Sequence, residues 1–229
     1  MRYSDIVRKG APLLCVLLMS VLSACRDEPE RPEDGVAIYQ NIATYTGDDN
    51  AGHSQLQYQE VNDSPIVTLT LQGRLNQEQV KPGTRLMVTY TLPAGVAYGT
   101  STSIEARSLN VIYNGEVKTD ATALPSLEET EGIYVMTLYR SGSYLNLMAQ
   151  LPASSGKREF ELVADAATLG DEIPQLYLTT QAENEQGFNR KTVASLNMAP
   201  VWELPSCKGV EVHVKNTNNS YQQKLIFLK

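Results

Sequence analysis

The stretch Arg85 to Leu92 constrains the fold more than any other part of the chain. Leu86, Val88, Tyr90 and Leu92 alternate with Arg85, Met87, Thr89 and Thr91, so one face is apolar and the other is polar apart from Met87. A strand repeats its side chains every two residues, and this alternation leaves one apolar face to bury against a core. Short runs of the same kind recur at Gly35 to Tyr45, Leu56 to Tyr58, Ile66 to Leu71 and Ile104 to Tyr113. Val, Ile, Thr and Tyr are frequent in them, Gly, Pro, Asn and Asp break them, and no long segment carries a strong helical period. The chain is therefore expected to be all-β.

The strands sort into two groups. Ile104 and Ala106 are out of phase with Leu109, Val111 and Tyr113, which predicts a bulge where the strand bends around a small barrel. Asn114-Gly115 reads as a tight turn into Val117. Between the third and fourth strands, Leu75 to Lys81 has room for little more than one helical turn. A long first strand, four more strands and a break after the third fit an OB-like barrel over residues 35–119. Residues 120–132, polar and holding Pro125, Glu128, Glu129 and Glu131, read as a solvated linker. Further short strands follow from Ile133 to Leu228, separated by turn signals such as Ser141-Gly142 and Ser155-Gly156. They predict a β-sandwich-like domain over 133–229. Leu86, Val88 and Tyr90 should belong to one core, and Leu145, Leu147, Leu162 and Leu178 to another.

The N-terminal segment carries a different message. Arg2, Arg8 and Lys9 precede the apolar run Ala11 to Leu22, which is shorter than the roughly 20 residues a membrane-spanning helix needs. It reads as an export signal over residues 1–24 that is removed in processing. Leu22-Ser23-Ala24-Cys25 resembles the lipobox of bacterial lipoproteins, which implies that the Cys25 thiol is acylated and anchors the chain in the bilayer. Residues 25–34 are charged and proline-spaced, with no apolar side chain to bury, and are expected to be a disordered tether. In a polyproline-like form, at about 3.1 Å per residue, they reach roughly 30 Å. Asp27-Glu28 also resembles the export signal of surface lipoproteins in some anaerobic Gram-negative bacteria. The expected location is the bacterial outer membrane, lipid-anchored, facing either the periplasm or the surface.

Charge and cysteine usage narrow the partners. The full chain has a formal net charge of −7, and losing Arg2, Arg8, Lys9 and Asp5 with the signal leaves −9. An acidic chain gains little from counterion release on nucleic acid and is repelled by anionic lipid, so nucleic acid is excluded as a partner. Of Cys15, Cys25 and Cys207 only the last remains free after processing, so no intramolecular disulfide forms. Cys207 reads as a small semi-buried residue.

The mature chain resembles the NigD-like lipoproteins. The resemblance is carried by Ile42-Ala43-Thr44 and Gly83 to Tyr90 in the first domain, and by Tyr144 to Leu147, Phe160 to Val163 and Leu176 to Leu178 in the second. It implies an OB-like domain followed by an all-β domain. The association of that family with a bacteriocin locus implies an immunity-like role.

Chemical signatures are sparse. No nucleophile elbow, Walker loop or Rossmann glycine pattern occurs, and no catalytic residue, metal site or cofactor is implied. His213 alternates with valines and is expected on a polar face. In an OB-like barrel the loops joining strands one to two and four to five present ligands. Here they offer Asp48, Asp49 and His53 in the first and Tyr98 in the second. Short polar groups beside an aromatic ring suit a sugar or peptide. The sequence thus predicts a non-catalytic envelope binding or interaction module for an unknown protein, peptide or glycan; the alternative is an envelope glycan hydrolase with carboxylates drawn from several loops. The anchor is tested by Cys25→Ala, which should move the protein from the detergent phase to the aqueous phase. Continued membrane partitioning of a cleaved variant would refute it.

Overall fold

The computed structural model describes residues 36–220 and 222–229; the expected signal 1–24, Cys25 and the tether 25–34 lie outside the described residues. Strands β1 (Ile38–Asp48), β2 (Ser54–Tyr58), β3 (Val67–Leu71), β4 (Arg85–Thr91) and β5 (Thr102–Val111) close into a barrel in the order β1-β2-β3-β5-β4. β1 is long because it serves two neighbours, pairing antiparallel with β4 through residues 38–44 and with β2 through 44–48. It bends at a bulge between Tyr45 and Gly47, where Gly47 has φ +117°, a value side chains with a Cβ rarely adopt. The phase slip in the fifth strand is a bulge: Thr89 faces Ser108 but Tyr90 faces Ala106, which leaves Arg107 as the extra residue. Between β3 and β4 a single turn forms, with the N–H groups of Gln79 and Val80 donating to the Asn76 carbonyl. Tyr45, Leu56, Leu69, Leu86, Val88 and Ile104 fill the barrel.

Two four-stranded sheets form the second body. One is ordered β6 (Tyr113–Glu116), β11 (Glu185–Asn197), β8 (Tyr144–Ser154), β7 (Tyr134–Ser141). The other is ordered β13 (Lys224–Leu228), β12 (Gly209–Val214), β10 (Gln175–Ala182), β9 (Arg158–Ala164). Leu145, Leu147, Leu162, Leu178, Leu196 and Val212 pack in a core separate from that of the barrel. One α-helical turn, α1 (Ala199–Trp202), adds Trp202 to it. The fold is all-β, an OB-like barrel followed by a sandwich. No helix among the described residues is long and apolar enough to cross a membrane.

Several local expectations change at the join. Asn114 and Gly115 do not turn; they lie in β6 and pair parallel with Ser195 and Leu196 of β11. Glycine is favoured at 115 because a Cβ there would sit 2.9 Å from Leu196 Cδ2, so that side chain would have to shift. Residues 113–119 therefore run with the sandwich rather than with the 35–119 barrel segment, and Lys118 bridges on to β9. The segment 120–132 has no buried residue, and its end is fastened to the sandwich, since Lys215 Nζ donates to the Glu128 and Thr130 carbonyls and Glu131 pairs with Arg158. His213 is buried, not on an open polar face, because Tyr177 of the parallel neighbour β10 stacks on it at 4.6 Å. Cys207 is buried too, its thiol donating to the Gly209 carbonyl.

The outer face of β1 and β4 is covered around Ile42, Arg85 and Met87. Arg85, only 3 % exposed, donates from Nε to Ser195 Oγ (2.9 Å), from Nη2 to Asn146 Oδ1 (3.0 Å) and from Nη1 to Thr44 Oγ1 (2.8 Å). Its guanidinium lies 4.2 Å from the Tyr144 ring centroid. Ile42 and Met87 are buried beside this seam without joining either core, which accounts for Met87 on the otherwise polar face of its strand. A second arginine closes the seam. Buried Arg140 of β7 forks onto Asp63 of the barrel's β2–β3 loop at 2.8 and 2.7 Å and lies 4.5 Å from the Trp202 ring centroid. The Asn62 N–H donates to the Arg140 carbonyl, and the Gly142 N–H to that of Asn62.

The hydrogen bonds from Arg140 hold the Asp63 carboxyl below its ordinary range. A carboxylate lowered on folding adds stability above its unfolded pKa, and that stability fades as pH falls through the folded value. Asp63→Asn should therefore lower the melting temperature above about pH 4 and converge with the parent in stronger acid. A difference between the two that is independent of pH would refute the ion pair's role.

Candidate functional site

The residues expected to form one ligand surface fall at two ends of the barrel. Asp48, Asp49 and His53 build the β1–β2 turn. Asp48 Oδ1 accepts from Ser54 Oγ (2.7 Å) and Tyr45 Oη (2.8 Å), and its Oδ2 accepts from Gln77 Nε2 (2.9 Å). The Ser54 bond, with Tyr45 next, lowers the Asp48 pKa. Asp49 Oδ1 accepts from the N–H groups of Ala51 and His53, at 2.9 and 2.8 Å, and the backbone bond from His53 is what chiefly lowers its pKa. His53 Nδ1 stands 3.6 Å from Asp49. These carboxylates close a turn and tie it to the β3–β4 segment. Tyr98 stacks instead on Tyr39, nine residues away from Asp48 along β1, about 30 Å of strand.

At that other end tyrosines gather. The β4–β5 loop turns at Gly95 and Gly99, both at positive φ (+80° and +82°), and lays Tyr98 on Tyr39 with centroids 4.9 Å apart and planes at 16°. Tyr90 Oη donates to Asn41 Oδ1 (2.9 Å), and Asn41 Nδ2 donates to Tyr98 Oη (2.9 Å). One amide thereby locks the partly exposed ring to a buried one. Tyr58, 3 % exposed, brings its hydroxyl near those of Tyr90 and Tyr98 without a well-formed hydrogen bond. Burial pushes the Tyr98 phenol above its ordinary pKa, against the Asn41 bond, so it stays a neutral donor and acceptor. Beside Tyr98 a cavity of about 240 Å³ opens at the seam. Gln40, Asn41, Gln59 and Glu60 line its barrel side, and Tyr139 and Met148 its sandwich side.

The carboxylates of the sandwich converge elsewhere. Glu129, Glu131, Glu159, Glu161 and Glu185 line a cleft of about 450 Å³ with no Lys or Arg in its wall. Behind it, nearly buried Arg158 donates from Nη1 to Glu131 Oε2 (2.7 Å) and Thr180 Oγ1 (3.3 Å). Its Nη2 donates to the Pro152 carbonyl (2.8 Å) and to Glu185 Oε1 (3.3 Å). Burial raises the pKa of Glu131; Arg158 opposes the shift, and Glu185, within hydrogen-bond reach, adds to it. Glu131 and Glu185 are each bound by Arg158, through Nη1 and Nη2 of one guanidinium, a setting that structural ion-pair networks also provide. Glu159 is lowered by its bond from Lys157, the opposite of what a general acid needs. No three His, Cys, Asp or Glu among the described residues stand where they could hold a metal ion.

No family profile matches the sequence and no curated protein matches it significantly, but solved structures do. A protein of unknown function from Bacteroides vulgatus superposes with a TM-score of 0.61 at 17 % identity, over 84 % of this chain and 90 % of that one. A NigD-like immunity protein from Bacteroides caccae gives 0.53 at 15 % identity, over 86 % and 92 %. A protein described as a candidate lipoprotein from Bacteroides fragilis gives 0.53 at 11 %, over 84 % and 96 %. At such identities the likeness is one of fold, which this chain shares with the NigD-like immunity protein from Bacteroides caccae and the other two.

Sequence reasoning selected Tyr98 and missed its setting. The signal for Asn41 was there: it interrupts the inward row Tyr39, Ala43, Tyr45 on β1 with a polar group. The Glu131–Arg158–Glu185 cluster has no comparable local signal. The lock on Tyr98 can be measured. Asn41→Ala leaves the hydroxyl of buried Tyr90 unpaired and should cost about 1–3 kcal/mol in urea unfolding. In a Tyr90→Phe background the cost should shrink, with a coupling of about 1 kcal/mol. Strict additivity would refute the lock.

Proposed function

We propose that this chain is a lipid-anchored envelope protein whose body is a non-catalytic binding module, with the cavity beside Tyr98 as its ligand site. The observation that carries the reading is the pre-locked aromatic wall: Tyr98 is held by Asn41 and backed by Tyr39, and it faces a cavity lined from both bodies. A ring fixed before the ligand arrives loses little freedom on binding. Acylation of Cys25 supplies the anchor, and the lipoprotein neighbour from Bacteroides fragilis supports it. An immunity role, as named for the NigD-like neighbour, is one form such binding takes.

A hydrolase is the second reading, and it stands on Glu131, whose raised pKa in a carboxylate-lined cleft is what a general acid requires. One pair of variants separates the two. Tyr98→Ala should remove most of the envelope material captured by the purified chain, tenfold or more, at a temperature where the variant is still folded by circular dichroism, while Glu131→Gln should leave capture intact. Release of reducing sugar ends by the parent chain, abolished in Glu131→Gln, would overturn the binding reading in favour of the hydrolase.

A further inference from the structure

The chemistry around Tyr98 selects among ligand classes. The cavity wall contains no Lys or Arg and one carboxylate, Glu60. Phosphate, sulfate and carboxylate ligands would meet a negative charge and no counter-charge, which disfavours nucleotides and acidic ligands. A bound peptide usually adds its backbone to an open strand edge. Here β4 and β8, which supply Met87 and Met148 to the wall, are each paired on both sides, whereas β1 at Gln40 pairs with β4 alone and β7, which supplies Tyr139, is an edge strand. What disfavours a peptide is the size of the cavity.

What the wall does offer is a set of groups that both donate and accept. Gln40 uses one amide hydrogen on Thr89 Oγ1 (3.1 Å) and Gln59 uses one on the Ser64 carbonyl (2.8 Å). Each head is oriented by that bond and keeps further donor and acceptor capacity. Tyr98 Oη accepts from Asn41 and retains its own hydrogen to donate. Hydroxyl groups are likewise both donors and acceptors, so a polyhydroxylated ring is the complementary ligand. Its C–H face matches the apolar body of an aromatic ring whose rim is polar. Met87 and Met148 line the remaining wall with adaptable apolar surface. A volume of about 240 Å³ lies below the roughly 300–1,000 Å³ of sites for drug-sized ligands, the scale of one sugar ring rather than a buried chain.

We propose that the cavity beside Tyr98 binds a neutral carbohydrate, one sugar ring lying against Tyr98 and hydrogen-bonded by Gln40, Gln59 and Glu60. The proposal rests on the binding-module reading and names its ligand class. Tyr39 and Asn41 are positioning residues that hold the platform, and Tyr98 makes the contact. The seam supplies the rest of the wall, so the site exists only when barrel and sandwich are docked.

The test uses the lipidated full chain in a non-glycosidic detergent, because a sugar-headed detergent would compete. Neutral hexoses, N-acetylhexosamines and their disaccharides are titrated calorimetrically, with the corresponding sugar phosphates and a tripeptide mixture as separate arms. The expected result is saturable binding of at least one neutral sugar. It should weaken at least tenfold in Tyr98→Ala, recover in Tyr98→Trp, which keeps an aromatic wall, and be absent or weaker for the matching sugar phosphate. Sugar binding that survives Tyr98→Ala, or a preference for the phosphate, overturns the proposal. If no sugar binds while envelope capture still depends on Tyr98, the carbohydrate assignment fails and the binding-module reading stands. If capture is also independent of Tyr98, both fall.

Discussion

A guanidinium buried without a carboxylate partner holds this molecule together. Arg85 meets three neutral side-chain oxygens and the face of Tyr144. Burial lowers its pKa to about 10, which still leaves it charged at neutral pH. Taking such a charge out of water costs several kcal/mol, and only well-formed hydrogen bonds offset the cost. The bonds to Asn146 and Ser195 and the contact with Tyr144 exist only when β4 of the barrel lies on β8 and β11 of the sandwich; the bond to Thr44 lies within the barrel. The two bodies are therefore committed to one relative placement, because any shift would strand a buried charge.

That commitment makes the seam a usable surface. Two apolar faces pressed together would slide with little penalty, since hydrophobic attraction is non-directional. Arg85 and Arg140 are directional, and they pin the seam through different elements: β4 for one and the β2–β3 loop for the other. A cavity lined by Gln40 and Tyr98 from one body and Tyr139 and Met148 from the other keeps its shape only if the seam does not shift. Binding-site order here is a consequence of docking order.

A third arginine applies the same device inside the sandwich. Arg158 gathers Glu131, Glu185, Thr180 and the Pro152 carbonyl, fastening segment 120–132 and the β10–β11 hairpin to β9. Glu131 and Glu185 are held by Nη1 and Nη2 of one guanidinium, the arrangement of a structural ion-pair network. The chain is acidic overall, with a formal net charge of −7, yet Arg85, Arg140 and Arg158 are placed where they decide architecture.

Most of the strands were legible because the pleat is a local property. Leu86, Val88 and Tyr90 alternate whatever surrounds them, and the slip between Ala106 and Leu109 announced the Arg107 bulge from phase alone. Glycine at 115 was legible as special, but not why: a turn and a close approach to Leu196 both favour glycine, and only the fold says which. Met87 looked like an exception because its face is polar in sequence, while its burial depends on a sandwich whose strands begin at residue 113. Asp48, Asp49 and His53 looked like ligand groups because free carboxylates and turn-closing carboxylates are the same residues. Their hydrogen bonds to Ser54, Ala51 and the His53 backbone appear only once the hairpin is closed. The sequence alone thus determined the strands, their inward faces and the two cores, since these follow from a period of two and from apolar content. Which outer faces are covered, and which polar groups meet across the seam, was decided by tertiary structure alone. Arg85 and Ser195 are 110 residues apart, and no short-range pattern records that they touch.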